Sequence, residues 1–379
     1  MKKKKIAAAA VSAVLFGVLA AAMSSVPKSL EDQNMAERWK SGETEYAQIS
    51  VFFPQGRSSF KEQETEKLRS TIETKLKEAS FRPENEGAEI WIDARSSVTT
   101  VSQASVYDEQ TGSLQTAGSD YSVTGVGGNF FDFHPMRLIS GNYIYEGELD
   151  DDRAVLDRQA AWDIFSSFDI TGMKFVINGT EFEVAGVVDP GENRDVKTAY
   201  PASPMIYVHY SALEKAELDT TLQCYEAVIP DPVTNFARNI ILENYGINTM
   251  SEEEDSEDPE KKLAAVIVQN TGRYSPLKLW KGLREFRNTA IQDRSIAYPY
   301  WENAARMTSV KMEILFAFSL LAAAVFLVTV ISEICLLYAH RKWHLKDFLE
   351  DMMYKYTYKK RVSDYISTPS ENGEGKYDQ

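Results

Sequence analysis

The chain has 379 residues, of which 44% are hydrophobic and 26% charged; these are globular values, with room for one or two domains and accessory segments. A mean hydropathy of −0.33 excludes both wholesale disorder and a many-span membrane protein. The 41 basic and 56 acidic residues leave a net charge of −15, which argues against a broad nucleic-acid footprint. Two Cys and four His exclude a multi-Cys zinc site and a disulfide scaffold, and the absence of a GxxxxGK[ST] run excludes a P-loop.

Residues 1–5 carry Lys2, Lys3, Lys4 and Lys5, followed by an apolar run over 6–23 that only Ser12 interrupts. Such a run can just span a hydrocarbon core of about 30 Å. The same pattern, with the small residues Ala21 and Ala22 before Ser24 and Ser25, also suits a cleaved secretory signal. Either way, the stretch 24–311 lies outside. The ends are basic or nearly neutral, so the acidic excess falls on this outer domain, consistent with solubility and repulsion from anionic surfaces.

Within 24–311, Tyr46–Phe53 reads as a strand. Ser58 or Ser59 can cap a helix starting near Phe60, with Leu68, Ile72 and Leu76 at helical spacing. Ala88–Ala94 reads as the next strand. A second strand–helix–strand unit follows later, over Tyr225–Val228, Asn235–Leu242 and Leu263–Gln269, and the pair implies an α+β layered domain. Between the units, Arg153–Leu156 reads as a strand leading into a helix over Arg158–Ser167, with Ala161, Ile164 and Phe165 on one face. Met173–Val188 alternates around Asn178-Gly179, the pair that favours a type I′ turn, and predicts a β-hairpin. Asn178-Gly179-Thr180 is formally a glycosylation sequon, which the turn already explains.

The run Ser251–Glu260 is strongly acidic but lacks the spacing of an EF-hand loop, so it reads as a solvated loop. His134 and His209 are the outer domain's histidines; with no GxSxG, HExxH or Cys–His signature, nothing points to an enzyme and no cofactor or metal site is expected. Cys224 and Cys335 fall in the outer domain and the second apolar segment, too far apart to pair.

Residues 312–339 form that second segment, with an uncharged run over Ile314–Ile331. It is followed by Arg341, Lys342, Lys346, Lys355, Lys359, Lys360 and Arg361. The positive-inside rule places both ends in the cytoplasm of a cell membrane and the large domain outside. Glu333, the acidic residue inside this segment, either reaches the inner interface or serves a function. Over 340–366, Leu345, Phe348, Leu349, Met352 and Tyr356 fall on one helical face opposite Lys346, Asp347, Glu350, Asp351 and Lys355. This predicts an amphipathic helix at the inner surface, serving as an anchor or as a docking face. The polar tail 367–379 reads as disordered.

One series of motifs points to a family. Gly128-Asn129-Phe130-Phe131, Leu138-Ile139-Ser140-Gly141-Asn142, Ala154-Val155-Leu156-Asp157, Ala160-Ala161-Trp162-Asp163-Ile164-Phe165, Thr171-Gly172 and Phe182-Glu183-Val184-Ala185-Gly186-Val187-Val188 resemble, in order and spacing, the MacB-like periplasmic core domain of FtsX-like ABC transporter permeases. The resemblance covers residues 124–189. Asn142 and Met173 stand where that family usually has Arg and Lys, while the glycines that shape the turns are present.

The resemblance implies an α+β extracytoplasmic domain flanked by two transmembrane helices. It further implies a permease-like subunit that transmits the motion of a separate ATPase subunit and works with that ATPase and a full-length permease. Family permeases carry three spans after the outer domain; here one is expected, which also fits a scaffold that has lost transport or a fragment completed by a neighbouring gene product. Leu345, Phe348, Leu349, Met352 and Glu333 are the candidate coupling residues.

The charge pattern predicts topology. In intact cells, a membrane-impermeant thiol reagent should label Ser25→Cys and spare Ser370→Cys, each placed in a chain lacking Cys224 and Cys335; labelling at position 370 would overturn the assignment.

Overall fold

The structure, a computed structural model, describes residues 2–40, 42, 44–54, 61–83, 88–107, 113–118, 120–245, 265–285, 296–339 and 345–367. Its helices are α1 (Lys2–Ser25), α2 (Met35–Trp39), α3 (Glu62–Glu78), α4 (Phe130–Phe133), α5 (Arg158–Phe165), α6 (Arg194–Ala199), α7 (Tyr210–Lys215), α8 (Phe236–Tyr245), α9 (Pro276–Glu285), α10 (Tyr300–Ala339) and α11 (Leu345–Ser367). Its strands are β1 (Tyr46–Phe52), β2 (Ile92–Val101), β3 (Ala104–Tyr107), β4 (Leu114–Ala117), β5 (Tyr121–Gly128), β6 (Arg137–Gly141), β7 (Arg153–Asp157), β8 (Lys174–Ile177), β9 (Thr180–Asp189), β10 (Met205–His209), β11 (Cys224–Pro230) and β12 (Val266–Gln269). Two short 3-10 turns, Pro27–Ser29 and Glu31–Gln33, join α1 to α2. The chain divides into two compact units, residues 18–318 and residues 1–17 with 319–379.

The larger unit is built on one mixed sheet in the order β12-β1-β11-β2-β5-β10-β7-β9-β8-β3-β4, with β6 paired to β9. The two strand–helix–strand units are both present, but they interleave. β1 lies between β12 and β11, antiparallel to each, and β11 lies between β1 and β2. This is the split βαβ arrangement, in which α3 and α8 cover the same face. All the strands from β3 to β10 are inserted between the halves and extend the sheet from β2 through β5.

Period-two alternation divides each central strand between two cores. Along β1, Ala47, Ile49 and Val51 pack with Leu68, Ile72 and Leu76 of α3 and Ile240 and Ile241 of α8. Gln48, Ser50 and Phe52 point to the other face. There Met35, Phe130, Phe131, Phe133, Tyr207, Trp301, Ala304 and Ala305 form a second core, supplied by α2, α4, β10 and the head of α10.

Of the boundaries that differ from expectation, three are set by identifiable local structure. Helix α3 starts at Glu62, where the Glu64 carboxylate accepts from the Lys61 backbone N–H at 3.1 Å, the glutamate half of a capping box; Ser58 and Ser59 lie outside the described residues. β2 begins at Ile92 rather than Ala88 and runs on through Arg95, Ser96 and Ser97, because its pairing with β5 extends from Ala94↔Gly128 to Val101↔Tyr121. α5 ends at Phe165, where Ser166 takes a left-handed conformation. The acidic run Ser251–Glu260 and the tail beyond Ser367 lie outside the described residues.

The hairpin forms as expected between β8 and β9, with Ile177 opposite Thr180 and Phe175, Ile177, Phe182 and Val184 all buried. Asn178 and Gly179 have φ of +48° and +80°, the pair of left-handed residues that a type I′ turn requires. A Cβ at Gly179 would meet nothing within 4 Å, so a substitution there is opposed by the backbone alone. Gly179→Val should destabilise the chain by about 1–2 kcal/mol, read as a lower thermal midpoint; an unchanged midpoint would contradict the turn's role.

Candidate coupling site

The segments that adjoin the two long apolar helices are both fastened within the second core, one to the sheet itself and one to the turn that follows β12. On the α1 side, Gln48 of β1 donates from Nε2 to the Asp32 carbonyl (2.6 Å) and accepts from the Met35 amide (2.9 Å). On the α10 side, Glu302 is fully buried and accepts from Arg273 (2.7 and 3.0 Å) and from Arg306 Nε (2.8 Å). Burial alone would raise the Glu302 pKa; the two guanidinium groups override it and hold the carboxyl below its ordinary range. Helix α6 bridges the two sides: Asn193 donates to the Ser29 carbonyl at 3.0 Å, while Asp195 accepts from Thr308 at 2.8 Å and from Lys311.

Between these ties lies a buried charged group. His134 follows α4 with no exposed surface, its Nδ1 2.9 Å from Asp32 and its Nε2 2.5 Å from Glu226. The Trp301 ring stacks on the imidazole, centroids 3.9 Å apart, and Phe130 packs 4.8 Å away. Glu226 lies directly opposite Ser50 in the β1–β11 register and accepts from its hydroxyl at 2.5 Å, which in turn accepts from Asn270 at 2.8 Å. Burial alone would depress the imidazole pKa, but the Glu226 charge and the hydrogen bonds to both carboxylates outweigh it and hold the value up at about 9. Both ring nitrogens therefore donate, one to each carboxylate. The same burial, reinforced by Glu226, pushes the Cys224 thiol well up.

The carboxylates sit on opposite sides of the ring and converge on no common point. Among the described residues, no group of three or more His, Cys, Asp or Glu has metal-holding geometry. What the arrangement can do is mechanical: Asp32 and Glu226 tie the chain after α1 to the sheet, and neither can slip without stranding a buried charge, while Trp301 packs the head of α10 on the same ring. Breaking one buried pair typically costs about 3–5 kcal/mol.

A second charged cluster lines a cleft of about 870 Å³ beside α3 and β2. Arg69 is 2.7 and 2.9 Å from the Asp93 carboxylate and 3.2 Å from Glu146; Arg95 is 2.7 Å from Glu146 and also pairs with Glu62. Burial would raise Glu146, but both guanidiniums hold it down at about 2. Each guanidinium is thus matched by at least two carboxylates, with Glu146 shared between them.

The residues expected to couple separate into two places, both in the smaller unit. Phe348, Leu349 and Met352 share α11, each about half exposed, and exposed Met353, Tyr354, Tyr356 and Tyr358 extend the apolar surface around it. Leu345 opens the helix, and its side chain lies outside the described residues. Glu333 sits instead on α10, with Lys5 of α1 at 3.7 Å and Lys5 also donating to Ser332 at 3.2 Å.

The model of the MacB-like periplasmic core domain family matches residues 6–240. The chain belongs to that family. Its members are ABC transporter permease components, so the protein is of permease type, with a membrane-attached extracytoplasmic domain and two helices long and apolar enough to cross a membrane. Among solved structures, the periplasmic region of MacB from Actinobacillus actinomycetemcomitans is 17% identical, with a TM-score of 0.37, covering 61% of this chain and 92% of that one. The extracellular domain of the noncanonic ABC-type transporter YknZ from Gram-positive bacteria is 13% identical, with a TM-score of 0.35, covering 58% and 99%. No curated protein matches the chain with significance.

In this MacB-like domain, His134 was visible in the sequence only as a histidine without a signature, and Asp32 and Glu226 carried no mark at all. The signal available was a lone His after the Phe130-Phe131-Asp132-Phe133 run, with partners around a hundred positions away on either side and no local spacing to connect them. Because the folded pKa of His134 exceeds the ordinary value of about 6.5, its stabilisation is fully present below that pH and is lost as pH rises through about 9. The stability advantage of the wild-type chain over His134→Gln should therefore shrink by something on the order of 3 kcal/mol between about pH 6 and about pH 9.5, followed by unfolding of the detergent-solubilised chain. A gap that does not change with pH would show that the imidazole is not held charged.

Proposed function

We propose that the chain is the permease-like subunit of a MacB-type ABC system and passes motion from a separate ATPase subunit across the membrane to the outer domain. One observation carries this reading: the buried imidazole of His134 joins Asp32, next to α1, to Glu226 of the sheet and stacks on Trp301 at the head of α10, while Glu302 ties that head to Arg273 in the turn after β12. A displacement of either helix along its axis is then passed to the sheet through these contacts. In this reading, α1 and residues 312–339 are the spans, 24–311 is the extracytoplasmic domain, and both termini are cytoplasmic. Chemistry on the chain itself is not part of its work. The Lys5–Glu333 contact holds the two spans together near their inner ends, where leaving either charge alone in lipid would be costly.

Helix α11 is the docking face for the ATPase or a full-length permease, through Leu345, Phe348, Leu349 and Met352. Each large apolar side chain buried at such a contact contributes about 1.5–3 kcal/mol before ordering costs. Phe348→Asp combined with Leu349→Asp should abolish co-purification with an ATPase or permease from native membranes while leaving membrane insertion intact. Recovery of the wild-type chain in mild detergent with neither partner would favour an anchored extracytoplasmic scaffold instead.

A further inference from the structure

Helix α9 stands out by its charge and its place. In an acidic chain it carries Lys278, Lys281 and Arg284 within ten residues. Leu279 is buried and Leu283 half-buried, which fixes its inner face; Leu277, Trp280, Lys281 and Arg284 fall on the opposite face, with Leu277 79% and Trp280 53% exposed. A large exposed indole and an exposed leucine flanked by cations make a pattern foreign to a purely aqueous surface and normal for a membrane interface.

The contacts with α10 locate this face. Arg273 pairs with Glu302, the Tyr274 hydroxyl donates to the Ala305 carbonyl at 3.2 Å, and Gly282 lies against the Glu313 side chain, so closely that a Cβ at position 282 would overlap its carboxylate. These contacts advance together along both segments, so α9 runs beside α10 in the same direction. Its C-terminal half is level with Glu313, one residue before the uncharged run that starts at Ile314. The headgroup layer outside the hydrocarbon is about 5–7 Å deep. At about 1.5 Å per residue, Trp280 and Lys281 fall within it and Arg284 at its inner boundary, from which a long cationic side chain reaches back to the phosphates.

We propose that α9 is an interfacial contact with the outer leaflet, in which Trp280 sits among the lipid headgroups and Lys281 and Arg284 meet lipid phosphates. The occupant is a phospholipid surface rather than a protein because the helix end coincides with the start of the apolar run, and because its positive charge complements anionic lipid while the rest of the domain repels it. The contact fixes the height of the domain's α10 side above the bilayer. This inference rests on α10 crossing the membrane from Ile314.

The test uses the full chain with Cys335→Ser, reconstituted in POPC nanodiscs containing POPG, with an NBD fluorophore on Trp280→Cys. Two comparison sites are Phe318→Cys, exposed on α10, and Leu114→Cys, exposed on β4 at the opposite edge of the sheet. Lipids bearing a nitroxide near the headgroup should quench the label at 280, with blue-shifted emission and protection from aqueous iodide, and should spare the label at 114. Adding Lys281→Glu and Arg284→Glu should remove that quenching. If the label at 318 is quenched by lipid nitroxides while the label at 280 emits as in water and is quenched by iodide, the α9 contact is wrong though the span is right. Protection from iodide without quenching by lipid would also overturn it, since a protein would then cover the helix. A label at 318 that lipid nitroxides never reach would instead remove the span on which the inference stands.

Discussion

An imidazolium held between two carboxylates in a dry core can be stable only while both partners stay in place. His134 has no exposed surface, and the cost of stranding a buried charge exceeds that of most single contacts in a domain. Asp32 and Glu226 must therefore remain where the ring needs them, and much of the surrounding structure serves that end. Gln48 holds the Asp32 backbone, Ser50 and Asn270 hold Glu226, and Trp301 seals the ring from above. Because Asp32 belongs to the segment after α1 and Trp301 to the head of α10, satisfying one charge also fixes both places where the chain leaves the domain.

The interleaved sheet makes this possible. Were β1 and β11 in separate sheets, Ser50 and Glu226 could not face one another; their antiparallel register sets them side by side. Period-two geometry then sends Gln48, Ser50 and Glu226 to the face opposite the helices α3 and α8, so one core is almost wholly apolar and the other contains a satisfied polar row. Burying polar groups in this way adds little net stability, but it permits a single alignment of β1, β11 and the α10 head, since any slip strands several hydrogen bonds at once.

Charge is unevenly distributed along the chain. The outer domain is acidic, the N-terminus is basic, the nearly neutral stretch after α10 opens with Arg341 and Lys342, and α9 is a basic element within the acidic domain. Each basic element adjoins an apolar helix in the chain or in space, as expected where a protein surface must approach anionic lipid.

Local physics was legible in the sequence. The Asn178-Gly179 turn, the apolar stripe of α3, the strand–helix pair at Arg153–Phe165 and the two long apolar helices all depend on residues within a few positions of one another, and the folded chain has each of them. The motif series over residues 124–189 was enough to indicate the family for the same reason: its spacing is local. The start of α3 and the extent of β2 shifted because a Lys61–Glu64 cap and pairing with β5 decided them, and neither is a property of the segment alone. The interleaving of the two strand–helix–strand units, the trio Asp32–His134–Glu226 and the contact of Lys5 with Glu333 belong to tertiary structure. They join residues tens to hundreds of positions apart. A charged side chain on its own carries no mark of which distant partner will neutralise it, and burial made the choice, because in the absence of water each of these charges had to find a neighbour of opposite sign.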